Sequence, residues 1–258
     1  MESILKVAII QKDLVWQDAE KNRVNLDVMF SEIEDVDLIV LPEMFTTGFS
    51  MEPKPIAETM QGKTVHWMLY TAKSLNAAVV GSLIIEENGR YYNRMLFVYP
   101  GGEIKQYDKR HAFTLAGENK EYTSGKNKLI VAYKGWKICP LICYDLRFPA
   151  WSRNVDNYDV LIYSANWPKP RINAWNTLLK ARAIENMSYC IGVNRVGVDA
   201  HNYEYSGNSV AIDYLGNELT AICEHKEAIL YVRFDKEEMY KTRAKLPFLE
   251  DRDTFTIN

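Results

Sequence analysis

Apolar positions along the first ninety residues alternate between two periods. "ILKVAIIQ" (4–11) and "DLIVLPE" (37–43) are apolar runs of strand length, whereas residues 18–34 put Leu26, Phe30 and Ile33 on one face at helical spacing. A second helix is predicted over 63–75, with Val65, Leu69, Ala72 and Leu75 inward, followed by the strand "AAVVGSLIIEE". Asn88-Gly89 and "PGGE" (100–103) then supply turn residues that tolerate positive φ, so antiparallel hairpins join the β-α-β-α-β opening. Beyond a loop over 110–125, "NKLIVAYKGWKICPLICYD" reads as a hairpin around Gly135, and "DVLIYSANW" as a strand with a polar end. A long helix over 170–187 sets Trp175, Leu178, Ala181 and Ile184 on one side. The tail returns to strand in "SYCIGVNRVG", "GNSVAIDYLGNELTAICE" and "EAILYVRF". Strands with outer helices and intervening hairpins predict an α/β fold, two mixed sheets packed face to face and covered by helices. No G-x-G-x-x-G follows the first strand, which argues against a dinucleotide-binding fold.

Composition narrows the picture. The 258 residues are 47% hydrophobic and 25% charged, enough for a full core, and no linker or repeat divides them, so a single domain over 1–258 is expected. A net charge of −3 with scattered Lys and Arg offers no footprint for nucleic acid. No run reaches the roughly 18 apolar residues of a membrane span. The N-terminal stretch reads as a first strand instead of a leader, and a cytoplasmic protein is expected. The four cysteines all lie in apolar segments and are expected to be reduced. Cys139 and Cys143 have neither redox-dithiol spacing nor nearby histidines for zinc, so no metal is expected.

Three polar residues follow strands, where rigid backbone can deliver side chains into a shared crevice. Glu43 follows "DLIVLP", Lys109 follows "GGEIKQYD" and Cys143 follows "KICPLI". Taken singly they read as a loop carboxylate, a surface charge and a packed thiol. Together they are the parts of a thiol hydrolase. A free thiol titrates near roughly 8.5, so it needs an ammonium to favour the anion or a carboxylate to take the proton. His111 leaves a Cys-His pair as a weaker alternative.

"LPEMF", "YDKRH" and "LICYDLRFP", in that order and at these separations, resemble the carbon-nitrogen hydrolase family, or nitrilase superfamily. The likeness extends over "KVAIIQ", "LLKARAIENMSYCIGVNRVG" and the closing "FLEDR". It implies an α-β-β-α sandwich and a triad of Glu43 as general base, Lys109 as oxyanion stabiliser and Cys143 as nucleophile. It also implies that Glu118 orients Lys109 and the substrate, that the Tyr144 N–H is a second oxyanion donor, and that no metal or organic cofactor takes part. Cys143-Tyr144-Asp145 departs from the Cys-Trp-Glu of nitrile-cleaving members and favours an amide substrate. "CYDLRFPAWSRN" with "SANWP" is most similar to the omega-amidase branch, which deaminates 2-oxoglutaramate and 2-oxosuccinamate. An N-carbamoyl or other aliphatic amidase is the alternative, and a silent scaffold or thiol redox protein is the alternative of another class. Arg147, Lys169 and Arg171 are candidate cations for a substrate carboxylate, with Arg147 expected instead to pair with a carboxylate and brace its turn. Trp167 is expected to wall the pocket. The resemblance further implies a homodimer or higher homo-oligomer joined through residues 146–155 and 170–187.

Overall fold

The computed structural model, which describes residues 3–257, opens with β1 (Ile4–Gln11), α1 (Ala19–Phe30), β2 (Leu38–Val40), α2 (Lys63–Leu75) and β3 (Ala78–Glu87), the order read from periodicity. Asn88 and Gly89, both at positive φ, turn β3 into β4 (Arg90–Val98), and a second turn leads to β5 (Ile104–Asp108). One helical turn, α3 (Glu118–Glu121), interrupts the next loop. β6 (Val131–Tyr133) and β7 (Trp136–Ile142) form the hairpin around Gly135, and α4 (Pro149–Ser152) precedes β8 (Val160–Ala165). Then come α5 (Ile172–Asn186), β9 (Tyr189–Asn194), a small hairpin of β10 (Val196–Val198) and β11 (Glu204–Ser206), β12 (Val210–Ile212), β13 (Ala228–Asp235) and α6 (Lys236–Lys245).

Two mixed sheets result, in strand orders β13-β1-β2-β3-β4-β5 and β12-β9-β8-β7-β6. β1, β2 and β3 run parallel, as do β7, β8 and β9; the outer strands pair antiparallel. The two-residue period of the strands sorts the first sheet's side chains between two cores. Leu5, Val7, Ile9, Val80, Met95 and Phe97 face the second sheet, whereas Ala8, Ile10, Val79 and Leu96 meet α1 and α2 through Leu26, Phe30, Val65, Met68 and Ala72. Across the second sheet, α5 lays Trp175, Leu179 and Ala183 on β9, where a β-carbon on Gly192 would come within 2.3 Å of Leu179 Cδ1. The layers are therefore α-β-β-α. No helix among the described residues is long and apolar enough to cross a membrane.

The structure revises two local expectations and adds two elements that periodicity did not indicate. The buried side of α5 carries Trp175, Leu179, Arg182, Ala183 and Asn186, while Ile184 points outward, because two polar residues occupy the packed face. Arg182 donates to the Leu146 carbonyl at 2.7 Å and Asn186 accepts from the Asn154 N–H at 2.8 Å, so this face braces the chain after β7. Within 207–224 only β12 is strand, and β11 is a strand that periodicity did not indicate. α6 has almost no apolar stripe, burying Met239 alone. It starts where Asp235 caps the Glu237 and Glu238 N–H groups, and its acidic first turn and basic last turn suit the helix dipole.

Candidate active site

β2 and β5 of the first sheet and β7 of the second each deliver one polar residue past the last paired position. Leu41 and Pro42 carry the chain from β2 to Glu43, Lys109 follows β5 directly, and Cys143 follows β7. Lys109 Nζ lies 2.8 Å from Glu43 Oε1 and 2.9 Å from both Glu118 oxygens, with all three side chains at most 3% exposed. Buried charges persist only when paired and hydrogen-bonded, and here each remaining acceptor is occupied. Asn93 Nδ2 donates to Glu43 Oε1 at 2.8 Å and to Glu118 Oε1 at 3.2 Å; the Asn166 N–H donates to Glu43 Oε2 at 2.9 Å; the Phe113 N–H donates to Glu118 Oε2 at 2.5 Å. The Cys143 thiol is within hydrogen-bonding reach of Glu43, with Lys109 and Glu118 as its other charged neighbours.

Local geometry turns the thiol out of the line of its strand. Ile142 is extended at φ −124°, and Cys143 swings to φ +41°, a left-handed conformation that costs a residue with a β-carbon about 1–3 kcal/mol. The helical turn that follows, through Arg147, holds this bend. On the Lys109 side, Gly125 donates to the Lys109 carbonyl at 2.9 Å, and a β-carbon there would fall 2.1 Å from the Asp108 carbonyl oxygen. The 110–125 loop thus closes onto the end of β5 and brings Glu118 back to Lys109.

The charges set the protonation order. Burial alone would lower the Lys109 pKa, but Glu118 and Glu43 override it and hold the ammonium above its usual range. Burial raises the Glu118 carboxyl, against the opposing pull of Lys109. Burial, reinforced by the charge of Glu43, pushes the Cys143 thiol well above its ordinary value despite Lys109. The charge of Lys109 lowers the thiol pKa but is shared by two carboxylates and does not offset the rise. The resting sulfur is a thiol with a carboxylate at hand to accept its proton.

Cys143 is half-buried and opens into a cavity of about 370 Å³. Tyr144 and Trp167 line it. Trp167 is fixed through its N–H to Asn194 Oδ1 at 2.7 Å and its indole Nε1 to the Arg171 carbonyl at 2.8 Å. Arg147 lines the same cavity with its guanidinium 5.0 Å from the Trp167 ring centre, and no carboxylate among the described residues pairs with it, contrary to expectation. Arg171 also lines the cavity, over Phe113, whereas Lys169 is paired with Glu204 at 2.8 Å. His111 stacks on Phe148 and directs Nδ1 to Asp145, so it does not serve as the thiol's partner.

The sequence and the fold are similar to those of known proteins. The family model described as carbon-nitrogen hydrolase matches residues 6–244. The chain belongs to the carbon-nitrogen hydrolase family. It is 43% identical to the omega-amidase YafV of Yersinia enterocolitica, over 99% of each chain, and 32% identical to the 2-oxoglutaramate amidase of Bacillus subtilis, over 95% of this chain and 96% of that one. A crystal structure of a CN-hydrolase superfamily protein from Xanthomonas campestris, with an arsenic adduct in its active site, superposes with a TM-score of 0.96 at 38% identity, covering 99% of both chains.

Beyond the residues this carbon-nitrogen hydrolase advertises in its motifs, others hold the site together. Asp145, wholly buried, accepts from Tyr107 Oη at 2.7 Å, the Ile142 N–H at 3.1 Å, the His111 N–H at 3.1 Å and His111 Nδ1 at 2.8 Å. Asn166 anchors Glu43 twice, its Nδ2 also donating to the Glu43 carbonyl at 2.6 Å. Asn93 carried one legible sign: it falls on the inward face of β4 with Met95 and Phe97, a polar residue where the period calls for an apolar one.

Proposed function

We propose that this carbon-nitrogen hydrolase removes the terminal carboxamide nitrogen of a small 2-oxo acid amide, 2-oxoglutaramate or 2-oxosuccinamate, through a thioester on Cys143. The observation that carries the reading is the single ammonium of Lys109 held between Glu43 and Glu118 beside a left-handed cysteine at the cavity floor. Full-length similarity to proteins named omega-amidase and 2-oxoglutaramate amidase supports the substrate class.

As the sulfur attacks the carboxamide carbon, Glu43 takes the thiol proton. Lys109 and the Tyr144 N–H stabilise the oxyanion, each such donor being worth about 3 kcal/mol. Glu43 returns the proton to the departing nitrogen, ammonia leaves, and Glu43 then activates the water that releases the acid. Glu118 holds Lys109 in place, and Trp167 limits chain length. The chain works in this reading as one carbon-nitrogen hydrolase domain over 1–258, free of metal and organic cofactor. It is a cytoplasmic homo-oligomer with no nucleic-acid or membrane partner, joined through residues 146–155 and 170–187, where Val155 and Ile184 are exposed.

Ammonia release tests the assignment. The expected order is 2-oxoglutaramate well above glutamine, asparagine, carbamoyl amino acids and a simple nitrile; carbamoyl amino acids turned over fastest would favour the N-carbamoyl amidase instead.

A further inference from the structure

Lys109 reaches Glu43 and Glu118 from the first position past β5, so its placement depends on how β5 ends against β4. The last paired residues of the two strands are Arg94 and Asp108. One step further, the Lys109 N–H donates to the Asn93 carbonyl at 3.0 Å, which sets Asn93 opposite Lys109. Side chains alternate across a strand, so the two pairs occupy opposite faces. Asn93 and Lys109 meet Glu43 and Glu118 on one face, while Arg94 and Asp108 meet on the other. There Arg94 is wholly buried and forks onto Asp108, Nε to Oδ1 at 2.7 Å and Nη2 to Oδ2 at 3.0 Å. Glu87 of β3 takes Nη1 and Nη2 at 3.2 and 3.1 Å, and the Tyr92 ring centre is 4.9 Å from Cζ. Burial opposes the guanidinium charge, but Asp108 and Glu87 outweigh it. A two-point planar contact fixes angle as well as distance. The loop bearing Glu118 returns to the same place: the Thr123 N–H donates to the Tyr91 carbonyl at 2.8 Å and the Gly125 N–H to the Lys109 carbonyl at 2.9 Å.

We propose that Arg94 and Asp108 are positioning residues for the reaction: their fork on the far face of the sheet fixes the end of the β4–β5 pair and thereby holds Asn93 and Lys109 against Glu43, Glu118 and the sulfur. This deepens the proposed function and rests on it for the part Lys109 plays in turnover. Neither residue lines the cavity into which Cys143 opens, so both act through Lys109 and not on the substrate. β5 is an edge strand, paired on one side only, and strand ends of that kind open most readily. The fork sits at the last pair, where opening would begin. Its loss lets the ammonium retreat from the sulfur, which slows the chemistry and leaves substrate binding in place.

Arg94→Met, Asp108→Asn and the double variant test this at a temperature where circular dichroism shows each to be folded. Each single variant is expected to lose about 10- to 100-fold in kcat with KM within about twofold. The double is expected to lose no more than the larger single, because both break one contact. The onset of Cys143 alkylation by iodoacetamide is expected to rise by about one pH unit, since the Lys109 charge lowers the thiol pKa and a retreating ammonium does so less. Glu87→Gln, which alters a more exposed partner of Arg94 on β3, is expected to lose at most about twofold. A lowered melting temperature with kcat and alkylation onset of the folded protein unchanged would make the pair structural only and overturn the inference. Losses that add in the double, or an equal loss from Glu87→Gln, would overturn it too. Asp108 is partly exposed and is the safer replacement; if Arg94→Met does not fold, Asp108→Asn alone gives the kcat and onset that decide. Alkylation needs no substrate. A raised onset supports the inference even if the wild-type protein releases no ammonia from 2-oxoglutaramate, a result that would remove the proposed function alone; an unmoved onset overturns the inference whatever the activity.

Discussion

His111 Nδ1 lies 2.8 Å from Asp145 Oδ1, and this contact ties the residue two positions after Lys109 to the residue two positions after Cys143. Asp145 also holds Tyr107, two positions before Lys109, and the N–H of Ile142, one before Cys143. One buried carboxylate therefore fixes the ends of β5 and β7 relative to each other, and with them the ammonium and the sulfur.

Asp145→Asn keeps the size of the side chain but presents an NH2 to groups that already donate. A displacement of the reacting groups by about 1 Å is worth on the order of 100-fold in rate. The expected outcome is a fall in kcat approaching that size with KM little changed, measured by steady-state ammonia release. His111→Gln, which removes one of the four contacts, is expected to lose less.

The thiol's protonation gives a pH-dependent readout. Because its pKa is raised, Cys143 is a neutral thiol at neutral pH and gains thiolate only as pH rises past the ordinary thiol range. Glu118 contributes to that upward shift, so Glu118→Gln is expected to move the onset of iodoacetamide alkylation of Cys143 to lower pH even as turnover falls. Alkylation rates against pH, followed by peptide mass spectrometry, check this; an onset shifted upward would contradict the charge order described. Lys109 has a raised pKa, so its charge is present at and below neutral pH and is lost only above its ordinary range. No alkaline loss of activity from that group is expected below about pH 10.

Trp167→Ala removes an indole from the wall of the cavity into which Cys143 opens. Discrimination against ω-amides longer than 2-oxoglutaramate is expected to relax, with a stability cost of about 3–5 kcal/mol typical of a buried Trp truncation. Relative kcat/KM across a chain-length series and a denaturant midpoint measure the two effects; unchanged discrimination would remove Trp167 from the specificity wall.

Legibility in the sequence followed the strength of periodic signals. β1, α1, α2 and the paired hairpins stand out because their apolar positions keep one period. The face of α5 departs from its apolar stripe because Arg182 and Asn186 use the buried side to hold backbone groups, a role that a count of apolar residues cannot register. α6 is specified by caps and end charges instead of a stripe. In the site, Glu43, Lys109, Glu118 and Cys143 stood in motifs and are brought together. What supports them was less visible, since Asn93, Asn166 and Asp145 act across separations of 50, 123 and 34 residues. Arg147, expected to brace a turn, instead stacks on Trp167 because no carboxylate is placed to receive it.

Gly125→Ala tests the closure of the Glu118 loop. With a β-carbon 2.1 Å from the Asp108 carbonyl oxygen, the loop has to move, and Glu118 with it. Loss of both thermal stability and kcat is expected; a variant with native melting temperature and full activity would show that Lys109 does not depend on this closure.

The most direct test of the central claim is intact-protein and peptide mass spectrometry of the enzyme quenched during turnover of 2-oxoglutaramate. The expected result is an acyl adduct on the peptide bearing Cys143, formed with release of ammonia and absent, along with turnover, in Cys143→Ala. Sustained ammonia release by Cys143→Ala, or an adduct on any other residue, would contradict it.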